Sequence, residues 1–436
     1  MTVLDSRPGF PADPMKSTTI DDLSATDDAL IDDKGVSMST VEDLGAGRGP
    51  AWLDGWLREN ARELVSWRRH IHAHPELSRQ EFGTTAFLEK LLLDAGLKPR
   101  VLPTGTGLIC ELGSGPRCMA LRADIDALPL TEVTGLPFAS QNDGAAHACG
   151  HDAHTTVLLG AALAMAANED ALPGRVRLIF QPAEEVMPGG ALDVIAAGGL
   201  DGVERIFGLH CDPRLRVGQV GMKVGAITSA TDLLELSLSS PGGHTSRPHL
   251  TADLVNALGM AITGLPLMLS RRVDPRTGTV LVWGSVHAGE APNAVPQQGM
   301  LRGTMRTGNR DTWAALKPLT EELVAQLLGP TGVQHDFQYH RGTPPVVNDR
   351  ESTELLRSAV ADALGAEGVA ETEQSSGGED FGWYLEHIPG SFARLGVWSG
   401  QGAKYDLHQP TFELDERALF VGVRTMVHAA LTTLSA

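Results

Sequence analysis

The sequence predicts an α/β protein in which one domain with a mixed sheet is interrupted by a smaller ferredoxin-like α+β unit. Short apolar runs alternate with helical apolar patterns between residues 108 and 200, as in an α/β sheet. Polar residues cluster where these runs end, and ligand sites of open α/β sheets lie beyond the carboxyl ends of strands. From residue 231 the order of elements becomes β-α-β-β-α-β, which is typical of a ferredoxin-like unit.

The first folded element is expected to be a helix from Ala51 to Trp67, because apolar residues recur there at helical spacing. Pro75 ends helical structure shortly afterwards. The alternating histidines before Pro75 could belong to a second metal site, but we interpret them as structural. A further helix is expected from Thr155 to Ala167. The expected strands of this domain are Gly107 to Leu112, Cys118 to Arg122, Arg175 to Gln181 and Arg205 to Leu209.

The inserted unit is expected to contain four strands and two helices. Its strands are Leu233 to Ser239, Thr279 to Ala288, Gln298 to Arg306 and Val333 to His340, and its helices are Ala252 to Leu269 and Thr312 to Leu328. Such a unit has close termini, which allows its insertion into another domain. Helical and strand patterns return at 352–364, 381–386, 391–395 and 416–434. We therefore predict a first domain formed by 51–230 and 345–436, and an inserted domain at 231–344.

Composition and charge exclude several classes of protein. The formal net charge of −19 argues against a nucleic-acid surface, and no basic run indicates binding to an anionic membrane. No run approaches the roughly 18 apolar residues of a spanning helix, and the first residues do not resemble a signal peptide. Four cysteines are too few for a disulfide scaffold of this size. We expect a cytoplasmic protein with no nucleic-acid or membrane partner.

Residues 1–50 are predicted to be a disordered tail. They contain ten acidic and four basic residues among many Asp, Ser, Thr, Gly and Pro residues. Little in this segment could form a packed core. Folded character is expected to begin at residue 51.

The densest cluster of metal-ligand residue types lies between His147 and His154. It brings three imidazoles, one thiol and one carboxylate into eight residues, before an apolar helix. These groups suit zinc, manganese, cobalt or nickel when the thiol is ionised and the imidazoles are neutral. Cys149 and His151 flank Gly150, so both side chains can turn towards one centre. The alternative is a buried cysteine and hydrogen-bonded histidines with no metal.

Glu184 and Glu185 follow a predicted strand. Neighbouring residues of an extended chain point in opposite directions, so one carboxylate can bind metal while the other faces a substrate. A free carboxylate can take a proton from an activated water and return it to a leaving group. Isolated Glu-Glu pairs are usually solvated surface. Two single histidines, His210 and His408, each lie at the end of an apolar element, where a core or surface role is the commoner one.

A glycine-rich segment around His244 lies inside the inserted unit and is a candidate binding loop, because glycine lets the backbone approach another molecule closely. Asn293 and Arg306 belong to the same unit. An amide and a guanidinium together suit a carboxylate ligand. An ordinary surface arginine is the alternative for Arg306.

In combination, these motifs resemble those of the aminoacylase-like amidohydrolases of metallopeptidase family twenty, in the branch of hippurate hydrolases and indole-3-acetyl-amino-acid hydrolases. The resemblance extends from Ala51 to the C-terminus. Seven motifs occur in the order of that family: Arg122-Ala-Asp124-Ile-Asp126-Ala-Leu-Pro129, His147-Ala-Cys149-Gly-His151-Asp152, Pro182-Ala-Glu184-Glu185, Gly208-Leu-His210, Gly242-Gly-His244, Gly377-Gly-Glu379-Asp380-Phe381 and His408-Gln-Pro410.

The resemblance implies a catalytic α/β domain that binds two divalent metal ions, zinc or manganese first and cobalt or nickel as alternatives. It also implies a lid domain at 231–344 that forms a homodimer. The implied metal ligands are Cys149, which bridges the two ions, with His151, Glu185, His210 and His408. Glu184 falls on the general base. His244 falls on a lid histidine that stabilises the oxyanion in the neighbouring subunit's site, and Asn293 and Arg306 fall on residues that hold the substrate carboxylate.

Two further roles follow from the motif around Asp124 and Asp126. Asp126 is expected to orient a metal ligand without binding the metal itself. Asp124 stands where sister branches place a metal-binding histidine, whose role Cys149 and His151 take over.

The implied function is hydrolysis of the amide bond of small N-acyl amino acids to a carboxylate and a free amino acid. A metallo-dipeptidase or carboxypeptidase could use the same groups. A metal-dependent binding protein without turnover is a further alternative, although a complete ligand set together with Glu184 argues against it.

Overall fold

The computed structural model describes residues 45–436. Most of the predicted tail, residues 1–44, therefore lies outside the described residues. Residues 45–50 form turns that contact the folded domain, because the Gly47 backbone N–H donates to Asp54 at 2.8 Å and Gly49 lies against His428. The folded part of the described chain thus includes residues that were expected to belong to the tail.

The predicted first helix is instead two helices, α1 (Ala51–Glu59) and α2 (Ala61–Ala73). Asn60 separates them with a non-helical backbone, and its side chain donates to the Trp56 carbonyl at 2.8 Å. An asparagine side chain can bond to a nearby backbone group and so interrupt a helix. The helical spacing of the apolar residues continues across this break, which is why one helix was expected. Helix α2 ends two residues before Pro75, as expected.

An eight-stranded mixed sheet organises the larger part of the molecule. Its strands are β1 (Arg100–Val101), β2 (Leu108–Gly113), β3 (Cys118–Asp124), β4 (Arg175–Gln181), β5 (Arg205–Arg216), β6 (Val220–Met222), β15 (Val369–Glu371) and β16 (Gly390–Trp398). They lie in the order β1-β2-β4-β3-β5-β16-β6-β15, with parallel pairing of β3 to β4 and β5, and of β5 to β16.

Helices cover this sheet and bury its apolar strands in a core. They are α1, α2, α3 (Phe82–Asp94), α4 (His151–Ala166), α5 (Ala191–Ala196), α8 (Arg350–Leu364), α9 (Gly382–Leu385) and α10 (Arg417–Ser435). Strand β5 continues well beyond the expected end at Leu209, because it pairs with β16 as far as Arg216 opposite Trp398. His210 consequently lies within a strand rather than after one.

Helix α10 is long and apolar enough to cross a membrane by length and composition. However, 83% of its apolar window is buried inside the protein, where it packs against α4 and α8. A helix buried to this extent is typical of the core of a folded protein.

A second, antiparallel sheet lies between Ala230 and Thr343, where the insertion was expected. Its strands are β8 (Ala230–Ser239), β10 (Val280–Ala288), β12 (Gln298–Thr307) and β13 (Gln334–Thr343), in the order β10-β12-β8-β13. Two helices, α6 (Leu254–Leu269) and α7 (Arg310–Leu328), pack on it and share a separate apolar core. The β-α-β-β-α-β order is confirmed. Two small ladders are formed by the short strands β7 (Gly225–Ala226), β9 (Gly243–His244), β11 (Ala294–Val295) and β14 (Val347–Asn348).

Candidate metal centre

The loop before α4 turns at Gly150, which has φ +85° and directly precedes the helix at His151. A side chain at Gly150 would meet the Cys211 sulfur at 2.8 Å. Glycine is therefore required here both for the left-handed backbone and for the close approach. The turn brings the buried side chains of Cys149 and His151 together, with their candidate ligand atoms within 4.8 Å of each other.

The five predicted ligands come together in two groups that share Cys149. One group is Cys149, His151 and His210, and the other is Cys149, Glu185 and His408; within each, the candidate ligand atoms lie within 4.8 Å of one another. The Cys149 Sγ atom is 3.4 Å from His210 Nε2 and 3.3 Å from His408 Nε2. A thiolate at the centre of two groups is the arrangement expected of a bridging ligand.

The donor set fits a pair of divalent cations. His151 Nε2 and Glu185 Oε1 are buried and lack a hydrogen-bond partner, although they are only 3.7 Å apart. Buried polar atoms are normally paired, so a cation between them would satisfy both. Burial lowers the pKa of His210 well below its usual value, which leaves the imidazole neutral and able to donate to a metal.

The electrostatics around His151 also favour positive charge. Burial alone would lower its pKa, but Asp124 and Asp126 raise it to about 10. Burial and the nearby Glu185 carboxylate raise the pKa of the Cys149 thiol well above its usual value. A bound cation would reverse both effects, because it repels the imidazole proton and stabilises the thiolate.

Asp126 contacts two of the candidate ligands. Its backbone carbonyl accepts from His151 Nδ1 at 2.9 Å, and its Oδ2 atom accepts from the Glu185 N–H at 3.0 Å. On the other side, His210 Nδ1 donates to the Cys211 carbonyl at 2.8 Å. These bonds fix which ring nitrogen faces the centre.

Glu184 lies beside the centre, within 4.8 Å of His151 and Glu185 by their ligand atoms. Burial and the carboxylates of Glu379 and Glu185 raise its pKa well above the usual value. A carboxyl group in this setting holds a proton more readily than one in water, as a group that accepts and returns a proton requires.

Asp124 lies next to the centre but is engaged by other groups. Its Oδ1 atom accepts from His154 Nδ1 at 2.6 Å, and Arg122 donates to its Oδ2 atom at 2.7 Å. Its Oδ2 atom is 3.8 Å from His151 Nε2. Asp124 therefore supports the ligand loop through His154, whose Nε2 atom accepts from the Cys211 N–H at 2.8 Å.

His72, the second of the three histidines before Pro75, takes part in a buried hydrogen-bond network. His72 Nδ1 lies 2.8 Å from Asp152 and its Nε2 atom lies 3.3 Å from Glu132. Arg68 donates to the same Asp152 oxygen at 2.7 Å. Burial alone would raise the Glu132 pKa, but the His72 hydrogen bond and other donors outweigh it and lower the pKa to about 2. This network anchors the first turn of α4 against α2.

The three predicted residues of the inserted unit are not part of these ligand groups in the described chain. His244 is exposed on β9, and its Nδ1 atom accepts from the Ser246 N–H at 3.1 Å. Asn293 is exposed beside β11. Arg306 Nη1 donates to the Ser376 carbonyl at 2.6 Å and to the Thr231 hydroxyl at 3.1 Å, at the junction between the two sheets.

The profile of the peptidase family M20/M25/M40 matches residues 120–432. The chain belongs to this family. Its resemblance to the aminoacylase-like members is thereby confirmed, as is the expected fold.

Similar proteins include both sequences and solved structures. A Rhodococcus jostii protein that carries a glutamate–cysteine ligase name is 54% identical over 86% of this chain, but the chain spans only 47% of that protein. The N-acetyl-L-cysteine deacetylase of Bacillus subtilis is 40% identical, with 82% of this chain and 85% of the relative covered. A dinuclear metal-binding peptidase of the M20 family from Bacillus subtilis is 35% identical, with a TM-score of 0.76 and coverage of 87% and 99%.

Sequence reasoning missed Glu81, whose carboxylate supports the loop that carries Glu184 and Glu185 in this M20 chain. Glu81 Oε1 accepts from the Ala183 N–H at 2.7 Å and from the Arg79 N–H at 3.0 Å. Ala183 has φ +56°, a left-handed conformation that alanine adopts only under constraint. Glu81 gave no signal in the sequence. A carboxylate that accepts a hydrogen bond from a backbone group distant in the chain leaves no local sequence pattern.

Proposed function

We propose that this protein is a metal-dependent amidohydrolase that cleaves N-acyl amino acids into a carboxylate and a free amino acid. The observation that carries the proposal is the pair of ligand groups sharing Cys149, with Glu184 beside them. The deacetylase name of the 40% identical relative supports an acyl amino acid as the substrate class. We assign the metal sites to Cys149, His151, Glu185, His210 and His408.

The metals are proposed to be zinc or manganese, with cobalt and nickel as alternatives, since thiolate and imidazole favour borderline cations. When bound, two such ions supply Lewis-acid chemistry that polarises the amide carbonyl and acidifies water. Glu184 then accepts the proton of the attacking water and returns it to the leaving amine. The raised pKa of Glu184 favours this transfer, because burial makes its carboxyl group hold a proton more readily than one in water.

His244 is proposed to stabilise the oxyanion in the site of a second subunit, within a homodimer formed through the inserted unit. Its exposure and its absence from the ligand groups of its own chain support a role outside that chain's site. Asn293 and Arg306 are proposed to bind the substrate carboxylate. For Arg306 the hydrogen bonds to Ser376 and Thr231 define a position between the two sheets rather than in open solvent.

The four cysteines are free and buried, which supports a reducing, cytoplasmic location as part of the proposal. A metallo-dipeptidase remains the second candidate, because the family profile includes peptidases. Hydrolysis rates with N-acetyl-L-cysteine, hippurate, an indole-3-acetyl amino acid and simple dipeptides separate the two. Higher kcat/KM for dipeptides than for every N-acyl amino acid would favour the dipeptidase.

The decisive test of the mechanism is Glu184→Gln, which removes the base and keeps the shape of the side chain. We expect kcat to fall by about 10²-fold or more, with unchanged metal content by elemental analysis. The matched control is Glu59→Gln, an exposed glutamate of α1, which should behave as the parent protein. Near-normal turnover of Glu184→Gln would remove Glu184 from this role, and metal-replete protein without hydrolysis of any substrate would favour a binding protein.

A further inference from the structure

Arg394 is a buried arginine beside the metal centre that the proposed mechanism does not use. It is only 7% exposed and lies on β16, where it pairs in register with His210 of β5. Directly paired residues of neighbouring strands project from the same face of a sheet. The Phe392 ring, on the same face, lies 6.2 Å from the His210 ring and 5.6 Å from the Arg394 guanidinium carbon. Arg394 therefore shares the face that carries the His210 ligand.

The Arg394 guanidinium has no hydrogen-bond or ion-pair partner among the residues that the structure describes, and its Nε atom is buried without one. The two carboxylates whose charges act most on Arg394, those of Glu379 and Asp212, already pair with other arginines. Asp212 accepts from Arg214 at 2.9 and 2.7 Å, and Glu379 forms an ion pair with Arg122 at 3.1 Å. Among the described residues, Arg394 is thus a buried cation without an ion-pair partner.

This state differs from that of Arg122, the other buried arginine near the centre. Arg122 is held by Asp124 at 2.7 Å and Asp380 at 2.8 Å. An arginine keeps its charge under all ordinary conditions, and a buried charge without a partner is costly. A ligand anion at Arg394 would remove this cost.

We propose that Arg394 binds a carboxylate of the substrate within the catalytic site. The inference rests on the proposed amidohydrolase function and adds an anion-binding residue to it. A guanidinium presents parallel N–H donors that match the two oxygens of a carboxylate. That carboxylate has two sources in an N-acyl amino acid: the amino acid itself, or a dicarboxylic acyl group such as succinyl.

Steady-state kinetics of the metal-loaded protein distinguish the two sources. The substrates are N-acetyl-L-methionine, its carboxamide N-acetyl-L-methioninamide, and N-succinyl-L-methioninamide, in which only the acyl group carries a carboxylate. If Arg394 binds the amino acid carboxylate, Arg394→Met should raise KM for N-acetyl-L-methionine by about 10- to 100-fold with little change in kcat, since a charged hydrogen-bond pair contributes on that scale. If Arg394 binds an acyl carboxylate, only the succinyl substrate should show this loss.

Two variants control for general disruption. Arg394→Lys keeps the charge without the planar fork and should recover part of the lost affinity. Arg302→Met removes an exposed arginine of the inserted unit, which pairs with Glu235, and should leave all KM values unchanged. An equal loss for all substrates, including the uncharged N-acetyl-L-methioninamide, would mean that Arg394 is structural and would overturn the proposal. The proposal is also overturned if Arg394→Met affects none of them.

A binding measurement tests Arg394 independently of turnover. Calorimetry with L-methionine and succinate, and with the carboxylate-free L-methioninamide as reference, reports carboxylate binding to metal-loaded protein. Arg394→Met should weaken binding of L-methionine or succinate by about tenfold or more while binding of L-methioninamide and metal content stay unchanged. If the parent protein hydrolyses no substrate but this difference is present, the amidohydrolase proposal fails and the Arg394 site stands. If neither ligand binds differently, the Arg394 proposal fails.

Discussion

Glu81 provides a test of how the catalytic loop is held in its active shape. Its side chain is fully buried, and one oxygen accepts hydrogen bonds from the backbone of both Arg79 and Ala183. Arg79 has φ +71° and Ala183 has φ +56°, so a single carboxylate oxygen stabilises two left-handed residues. Ala183 directly precedes Glu184 in the chain. Glu81→Ala should therefore change the position of Glu184, the proposed base, without removing a contact to the proposed metal ligands.

The magnitude follows from two opposing terms at Ala183. A left-handed conformation costs a non-glycine residue about 1–2 kcal/mol. A hydrogen bond to a charged group contributes about 1.5–3 kcal/mol. Loss of the Glu81 acceptor leaves the backbone strain at Ala183 without compensation, and a change of about 1–2 kcal/mol in the free energy of the active loop lowers kcat by about 5- to 30-fold. The effect should appear in kcat more than in KM, because Glu184 is proposed to act on the water and the leaving amine.

The assay combines steady-state kinetics, metal analysis and thermal unfolding. Glu81→Gln keeps an oxygen that can accept from the Ala183 N–H and should retain most of the activity. The double variant Glu81→Ala/Ala183→Gly should recover part of the lost kcat, since glycine adopts a positive φ at no steric cost. Ala183→Gly alone is the control and should be close to the parent protein. Absence of rescue, or loss of metal in Glu81→Ala, would refute the reasoning.

Three further outcomes test the site and its supports. Cys149→Ala should lower the content of both metal ions, whereas His408→Ala should lower one, as elemental analysis of purified protein shows; equal stoichiometry in the two variants would exclude a bridging thiolate. Mixing inactive His244→Ala and Glu184→Gln subunits should restore partial activity if each site is completed across a dimer, and no recovery despite demonstrated subunit exchange would contradict that. Glu132→Gln should destabilise the protein by about 2 kcal/mol at pH 7 in urea unfolding, since the carboxylate is 5% exposed and hydrogen-bonded. Because the Glu132 pKa is lowered from 4.5 to about 2 in the folded state, this contribution is fully present above the unfolded pKa and is lost as the pH falls towards the folded one. If the difference in unfolding free energy between Glu132→Gln and the parent protein is the same at pH 7 and near the folded pKa, the charge of the carboxylate is not the cause of that difference.

The sequence predicted the parts of the molecule that depend on local patterns. Strand β4 was predicted at its observed bounds because its apolar run is bounded by polar residues at both ends. The break at Asn60 was missed because apolar spacing does not report a side chain that bonds its own backbone. The length of β5 was missed because it depends on pairing with β16, which lies much later in the chain.

The same distinction holds within the site. The spacing of Cys149, Gly150 and His151 is a local signal, and the remaining candidate ligands could be named only through motifs in family order. That Arg394 has no ion-pair partner among the described residues cannot be predicted from the sequence, because it depends on how Asp212 and Glu379 pair with other arginines. Charge balance in a buried site is a property of the assembled structure.

Strained backbone conformations occur in separate segments of the chain that meet at the candidate metal centre. Arg79, Ala183 and His408 are the non-glycine residues with positive φ in the described chain, and the last two lie at or beside the metal centre. Strained residues persist only where surrounding bonds hold them. The His408 N–H donates to the Ala148 carbonyl at 2.8 Å, which holds the His408 backbone at φ +63° and fastens the last candidate ligand to the loop that carries Cys149. This hydrogen bond holds the strained His408 backbone in place before any cation binds, so metal affinity should fall when the His408 segment is released.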